Sequence, residues 1–217
     1  MADVETLAQL RCVLAPAVAE AAAFDGWSAQ AVEQAAHQNG VDPELAAFAF
    51  GGKQMAMIEA WVDAIDLAMV TTVPAESLKG VPVRERIRRL VMARLDAAAG
   101  KEEALLRALT IMAMPQNLAR ATQLGWRSAD RMWRLAGDTA TDYNHYTKRT
   151  TLAGIYAATL HVFAREKDPE KPETRRFLER RIDGIMRFEK VKAQFTRRPE
   201  ERFSVTRLLG RLRYPAR

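Results

Sequence analysis

Residues 27–54 read "WSAQAVEQAAHQNGVDPELAAFAFGGKQ". Small, helix-forming residues over 28–39 specify a helix, and Asn39–Gly40 then turn the chain. Asp42 is placed to cap a short second helix over 43–50, with Pro43 at its first position, where a missing N–H costs nothing. A longer apolar helix follows from residue 53. Helix, tight turn and short capped helix make a helix-turn-helix order.

Outward from this stretch almost everything reads as helix. Ala, Leu, Met, Glu, Gln and Arg dominate, and no window sustains an alternating strand pattern. Helices are expected over 4–23, 28–39, 43–50, 53–70, 82–98, 101–113, 115–136, 145–166, 172–195 and 201–213. Gly40, Pro82, Gly100 and the run "DPEKPE" (168–173) set the boundaries. One longer loop spans 71–80. The expected class is all-α, a helical bundle with an N-terminal lobe over 1–70, a helical core over 71–196 and a basic tail over 197–217.

A chain of 217 residues with 48% hydrophobic residues can bury a substantial core, and 28% charged residues exclude a multi-span membrane protein. No uninterrupted apolar run reaches the ~20 residues of a spanning helix. The opening "MADVETLAQLR" has neither the basic start of a secretory signal nor the Arg-rich character of a mitochondrial presequence. The expectation is a cytoplasmic chain, peripherally associated with the inner membrane of a bacterial-type cell. Cys12 is alone, which excludes a disulfide framework and a thiolate cluster, and it is expected to be a small buried residue.

The net charge of +6 is unevenly spread. Residues 1–70 carry Arg11 and Lys53 against ten acids, a net −8, whereas residues 197–217 carry seven arginines against Glu200 and Glu201, a net +5. The N-terminal order resembles the DNA-binding domain of the tetracycline-repressor-like regulators. Its second helix, however, offers Glu44, Leu45, Phe48 and Phe50, with no base between 43 and 50. Phosphates need Lys or Arg, and base edges need Arg, Asn or Gln. A segment of net −8 is repelled by a duplex. The expectation is no nucleic-acid partner; a repressor-like transcription factor with a lipid or hydrophobic effector is the alternative function.

The densest polar cluster lies in "AGDTATDYNHYTKRTTLAGIY" (136–156). Leu152, Ile155, Tyr156, Leu160 and Phe163 recur at helical spacing and face a core. Asp142 and Asn144 stand where a helix cap would, and Asp138 to Asn144 also read as a structured loop and helix start. Tyr146 and Arg149, three apart, share a face beside Asp142: a binding hot spot, or a solvated salt bridge. His37, His145 and His161 form no metal-binding helix pattern, no Ser sits in a nucleophile elbow, and no Gly-rich phosphate loop occurs. Catalytic and metal-binding residues are therefore expected to be none, with no cofactor. Methionines and large apolar residues recur on several helices (Met55, Met57, Trp61, Met69, Met92, Leu109) and are raw material for a core or for a cavity that accepts long chains.

The run "IMAMPQNLARATQLGWRSADRMWRLAGDTATDYNHYTKRTTLAGIYAATLHVF" (111–163), with "TRRFLERRIDGIM" (174–186), resembles the ubiquinone-biosynthesis accessory proteins, lipid-binding partners of a di-iron quinone hydroxylase. The parts that carry the resemblance are Met112, Met114 and Pro115; Trp133; Ala136, Gly137 and Asp138; residues 141–149; and residues 177–180. The resemblance implies a repressor-like fold without DNA binding, a homodimer, a hydrophobic site for an isoprenoid quinone intermediate or phospholipid, and no chemistry of its own. Met112, Met114, Leu118, Met132, Trp133, Leu152, Ile155 and Tyr156 are then the candidate lipid-binding set. Arg131, Asp138, Asp142, His145, Tyr146 and Arg149 are the candidate surface for the hydroxylase. His145 stands where that family usually has Trp, which removes apolar area from the surface.

The tail, "ERFSVTRLLGRLRYPAR" (201–217), places Val205, Leu208, Leu209 and Leu212 on one helical stripe, with Arg202, Arg207, Arg211 and Arg213 on its flanks. Such a helix suits an anionic membrane surface, and the membrane-binding candidates are Arg202, Val205, Arg207, Leu208, Leu209, Arg211 and Leu212. A docked amphipathic helix is the alternative.

Overall fold

The structure is a computed structural model that describes residues 6–139 and 143–196. The described residues hold helices α1 (Leu7–Asp25), α2 (Ala29–Gln38), α3 (Pro43–Phe50), α4 (Gln54–Thr72), α5 (Val83–Ala98), α6 (Glu102–Met112), α7 (Leu118–Leu135), α8 (Tyr143–Arg165) and α9 (Pro172–Thr196), with no strand among them. The chain divides into a unit over residues 1–179 and another over 180–217, whose described part is the end of α9. The expected tail helix over 201–213 lies outside the described residues.

Local signals account for the helix limits. Thr6 and Gln9 form a reciprocal capping box at the start of α1. Asp42 accepts the Glu44 N–H at 3.0 Å, as the cap reading requires. Gly51, in the left-handed region at φ 58°, ends α3. The loop over 71–80 is less open than expected: a 3-10 turn over Ala75–Leu78 drives Leu78 into the core.

α1 packs on α2, α4 and α6 through Leu10, Leu14, Val18 and Ala22. By length and composition α1 could cross a membrane, although no uninterrupted apolar run announced it; the buried face marks it as a core helix of this unit. Trp27 joins the N-terminal lobe to the rest. It is buried against Trp61 at 5.4 Å between ring centroids, and its indole N–H donates to the Ala104 carbonyl at 3.1 Å. An aromatic pair of this kind adds about 0.5–1.5 kcal/mol beyond its area. Cys12 is half-buried rather than buried, and burial, with Asp63 nearby, raises its thiol pKa.

α3, the element in the recognition position, turns Phe48 (72% exposed), Leu45 and Glu44 outward. Phe50, expected on that face, is buried instead, because the helix period carries it to the core side. The front acids are only partly free to repel a duplex. Glu59, Asp63 and Asp66 follow one face of α4 and take Arg120, Arg127 and Arg131 of α7, at 2.6, 2.7 and 3.1 Å. This ladder zips α4 to α7. Its outer two rungs are solvent-exposed and worth little each.

Candidate functional site

A cavity of about 120 Å³ opens between α4, α5, α6, α7 and α8. The scale is that of the roughly 150 Å³ apolar cavity known to hold benzene. α4 contributes Ile58, Trp61 and Ile65; α6 contributes Leu105, Ala108, Leu109 and Met112. α7 presents Ala121, Leu124, Gly125 and Ser128, and α8 presents Ala153, Tyr156, Ala157 and Leu160. Small residues on facing stripes of α7 and α8 bring the two backbones close: a Cβ on Gly125 would meet the Ala153 Cβ at 4.0 Å. Trp61, Ile58 and Ala98 form the deep end. Leu109, Met112 and Leu160 are half-buried and Ala157 is exposed, so they mark the mouth.

One charged side chain lines this apolar space. Arg94, on α5, is 1% exposed and pairs with Asp66 of α4, which is fully buried. Its Nη2 donates to Ser128 Oγ at 3.0 Å, and its guanidinium lies over the Tyr156 ring at 4.8 Å from the centroid. Arg131 donates to the other Asp66 oxygen at 3.1 Å from the solvent side. The sequence carries a signal for the pair that its reading missed. Ile87, Leu90, Val91, Arg94, Leu95 and Ala98 follow the core-facing period of α5, so the arginine sits on an apolar stripe. Asp66 stands likewise among Ile65 and Met69 on α4. A charge at such a position is buried, and it needs an opposite charge on a neighbouring helix.

The proposed lipid set is scattered. Met112 and Tyr156 line the cavity. Met132 and Leu152 are buried outside its lining, Ile155 and Trp133 are half-buried, and Met114 and Leu118 are exposed. Trp133 instead donates its indole N–H to the Lys148 carbonyl at 3.0 Å.

The polar run between α7 and α8 is mainly a clamp. Arg149 is 1% exposed, and its guanidinium meets Asp130 of α7 at 2.5 Å and Asp138 at 3.0 Å. Its Nη1 also donates to the His145 carbonyl at 3.1 Å. Lys148 reaches Asp138 at 2.7 Å and lies 5.3 Å from the Trp133 ring centroid. Burial raises the Asp138 pKa, but the hydrogen bonds from Lys148 and Arg149 outweigh it and hold the carboxyl below its ordinary value. Asp138 is thus an ion-pair partner rather than a cap. Arg149, expected on a surface, is enclosed by two carboxylates and cannot reach a partner protein. Asn144 lies inside the first turn of α8, because that helix begins at Tyr143 rather than near 145.

What remains outside is an aromatic face. Tyr146 is 61% exposed, and His145 sits 5.2 Å from it between ring centroids. Trp126 of α7, which sequence reading passed over, lies 6.0 Å from Tyr146 and 6.3 Å from His145. Arg131 is exposed nearby in sequence but is spent on Asp66. His37 stands 3.8 Å from Glu33 in open solvent. Among the described residues no three His, Cys, Asp or Glu side chains converge as a metal site would require. Asp142 and the membrane candidates Arg202, Val205, Arg207, Leu208, Leu209, Arg211 and Leu212 lie outside the described residues.

Comparison with known proteins bears on both sites. Residues 118–189, which hold α7, α8 and much of α9, match the family model described as COQ9. The "Ubiquinone biosynthesis protein COQ9, mitochondrial" of Rattus norvegicus is 32% identical over 192 residues, covering 85% of this chain and 61% of the relative. The Homo sapiens protein of the same name is 32% identical, covering 85% and 60%. The chain therefore spans about six tenths of the length of these relatives. Among solved structures, a TetR transcriptional regulator from Nitrosomonas europaea ATCC 19718 superposes with a TM-score of 0.63 at 21% identity, covering 80% of this chain and 96% of that one. The fold is repressor-like, as the helix-turn-helix order implied. One expectation is overturned. The relatives are named as mitochondrial proteins, which points to that compartment and away from a cytoplasmic chain at a bacterial-type inner membrane.

Proposed function

We propose that this chain, similar over 85% of its length to ubiquinone biosynthesis proteins, is a non-catalytic lipid-binding accessory protein of that pathway. It takes an isoprenoid quinone precursor from a membrane, holds it in the cavity between α4 and α8, and delivers it to a quinone hydroxylase. The single observation that carries this reading is the cavity itself: a ring-sized apolar space with a mouth of flexible Met112 and Leu side chains, one wall of which, α7 and α8, lies in the region that matches the family model. The face of exposed Tyr146 with half-buried Trp126 and His145 beside it suits a protein partner, since rigid aromatics give contact area at low entropic cost. The arginine-flanked apolar stripe over 202–213 suits the membrane step, and assembly as a homodimer completes the reading.

Lipid extraction from the purified native protein, followed by mass spectrometry, tests the cargo. Stoichiometric prenylated or acyl lipid is the expected result, and its absence sinks the reading. Removal of residues 201–217 is expected to abolish sedimentation with anionic vesicles while the helical signal persists; undiminished sedimentation removes the tail from the mechanism. The fold likeness to a transcriptional regulator favours a second reading, a repressor with a hydrophobic effector. The exposed Glu44, Leu45 and Phe48 on α3 argue against it. A gel shift at moderate salt that shows DNA bound would reinstate it.

A further inference from the structure

Among the described residues Arg94 is the one charged residue that lines the cavity, and one of its three nitrogens faces no acceptor. Nη1 faces Asp66 and Nη2 faces Ser128, whereas Nε, with the side chain 99% buried, has no acceptor among the described residues. Buried polar groups almost always find a partner, so an orphaned guanidinium N–H at the wall of a cavity points to a ligand atom. Resting on the reading of the cavity as a lipid site, we propose that Arg94 Nε donates to an uncharged oxygen, a carbonyl or ether on the ring of the bound molecule. The ring then sits at the deep end, and its apolar tail leaves between Leu109, Met112 and Leu160.

Charge decides for a neutral acceptor and against an anion. Asp66 already neutralises Arg94 at a place closed to water. A carboxylate or phosphate entering there would lose its hydration and stand close to the Asp66 carboxylate; the second cation on Asp66, Arg131, lies on the solvent side and is about half exposed, so it compensates little at the cavity wall. A neutral oxygen sheds little hydration and gains a charge-assisted hydrogen bond. The depth gradient sets the orientation. Arg94 and Ser128 are enclosed, whereas the mouth residues are half-buried and wholly apolar, so they suit a hydrocarbon tail and not a polar head.

Calorimetric titration of the intact chain with three near-isosteric probes tests this: 4-prenylacetophenone, 4-prenylcumene and 4-prenylbenzoate. The ketone is expected to bind at least tenfold more tightly than either of the others. In Arg94→Lys, which keeps a charge for Asp66 but lacks Nε, the ketone should fall to within twofold of the cumene, whose own affinity stays unchanged. If that variant fails to fold, the ranking on the unaltered chain decides. Equal binding of ketone and cumene, or tightest binding of the benzoate, overturns the proposal while leaving a lipid cavity standing. Binding by none of the three overturns the cavity reading, and this proposal with it.

Discussion

Arg94 and Asp66 meet in the interior with neither side chain open to solvent, one from α5 and the other from α4, and Arg131 closes the pair from outside. Removing Asp66 leaves Arg94 buried and uncompensated, and removing Arg94 leaves Asp66 buried with only the half-exposed Arg131 to offset its charge. Arg94→Met is therefore expected to cost about 3–5 kcal/mol, whereas the double change Asp66→Leu with Arg94→Met should recover most of that loss. Urea unfolding of the two variants beside the unaltered chain checks it; equal losses in both would mean that the pair is not coupled.

The family-like run holds two residues of opposite standing. Arg149 is enclosed by Asp130 and Asp138, so Arg149→Ala should destabilise the fold by about 3 kcal/mol. Tyr146 is largely exposed, and Tyr146→Ala should stay within about 0.5 kcal/mol of the parent. Thermal melts separate them. If Tyr146→Ala proves the more damaging, the placement of this helix face is wrong.

Asp138 gives the clamp a pH dependence of definite sign. Its carboxyl is held below the ordinary value, so its stabilisation is complete above about pH 5 and fades as the pH falls through the folded-state value. The gap between the parent and Asp138→Asn should be about 2 kcal/mol near neutrality and should close in acid. Denaturant midpoints from pH 7 to pH 2.5 measure it; a gap that widens on acidification reverses the assignment.

Glu166 caps a helix that it does not belong to. Its carboxylate accepts the Glu173 N–H at 2.6 Å, the Thr174 N–H at 2.8 Å and the Thr174 hydroxyl at 2.6 Å, at the start of α9. Glu166→Ala should cost about 1–2 kcal/mol, as the loss of a helix cap does, and should speed amide exchange in the first turn of α9. Unchanged exchange there would show that α9 starts without it.

Filling the cavity should separate cargo from stability. Ala121 lines the mouth side on α7, and Ala121→Leu adds volume where a ligand would lie. Co-purified lipid should drop at least tenfold, while unfolding stability shifts by no more than about 1 kcal/mol. Full lipid occupancy in this variant would place the cargo elsewhere.

The helices themselves were legible residue by residue. α3 runs over the span expected for it, Pro43–Phe50, and its Asp42 cap was read from four letters of sequence. α5, α6 and α9 begin or end within a residue of their expected limits, because caps, glycines and prolines act on the nearest turn and need no distant partner. The apolar face of α8 was legible too: Leu152, Tyr156 and Phe163 are buried as their spacing required. What the sequence alone determined, then, was most of what closes its hydrogen bonds within four residues; the 3-10 turn over Ala75–Leu78 and the start of α8 at Tyr143 are the exceptions. Only the tertiary structure decided that Asp66 meets Arg94, that Arg149 turns inward to two carboxylates, and that half-buried Trp126 lies beside Tyr146. Five helices, residues far apart in the chain, must first pack at a given angle and depth before a cavity exists between them. Helical period says which side chains face inward, but it is silent on what they face.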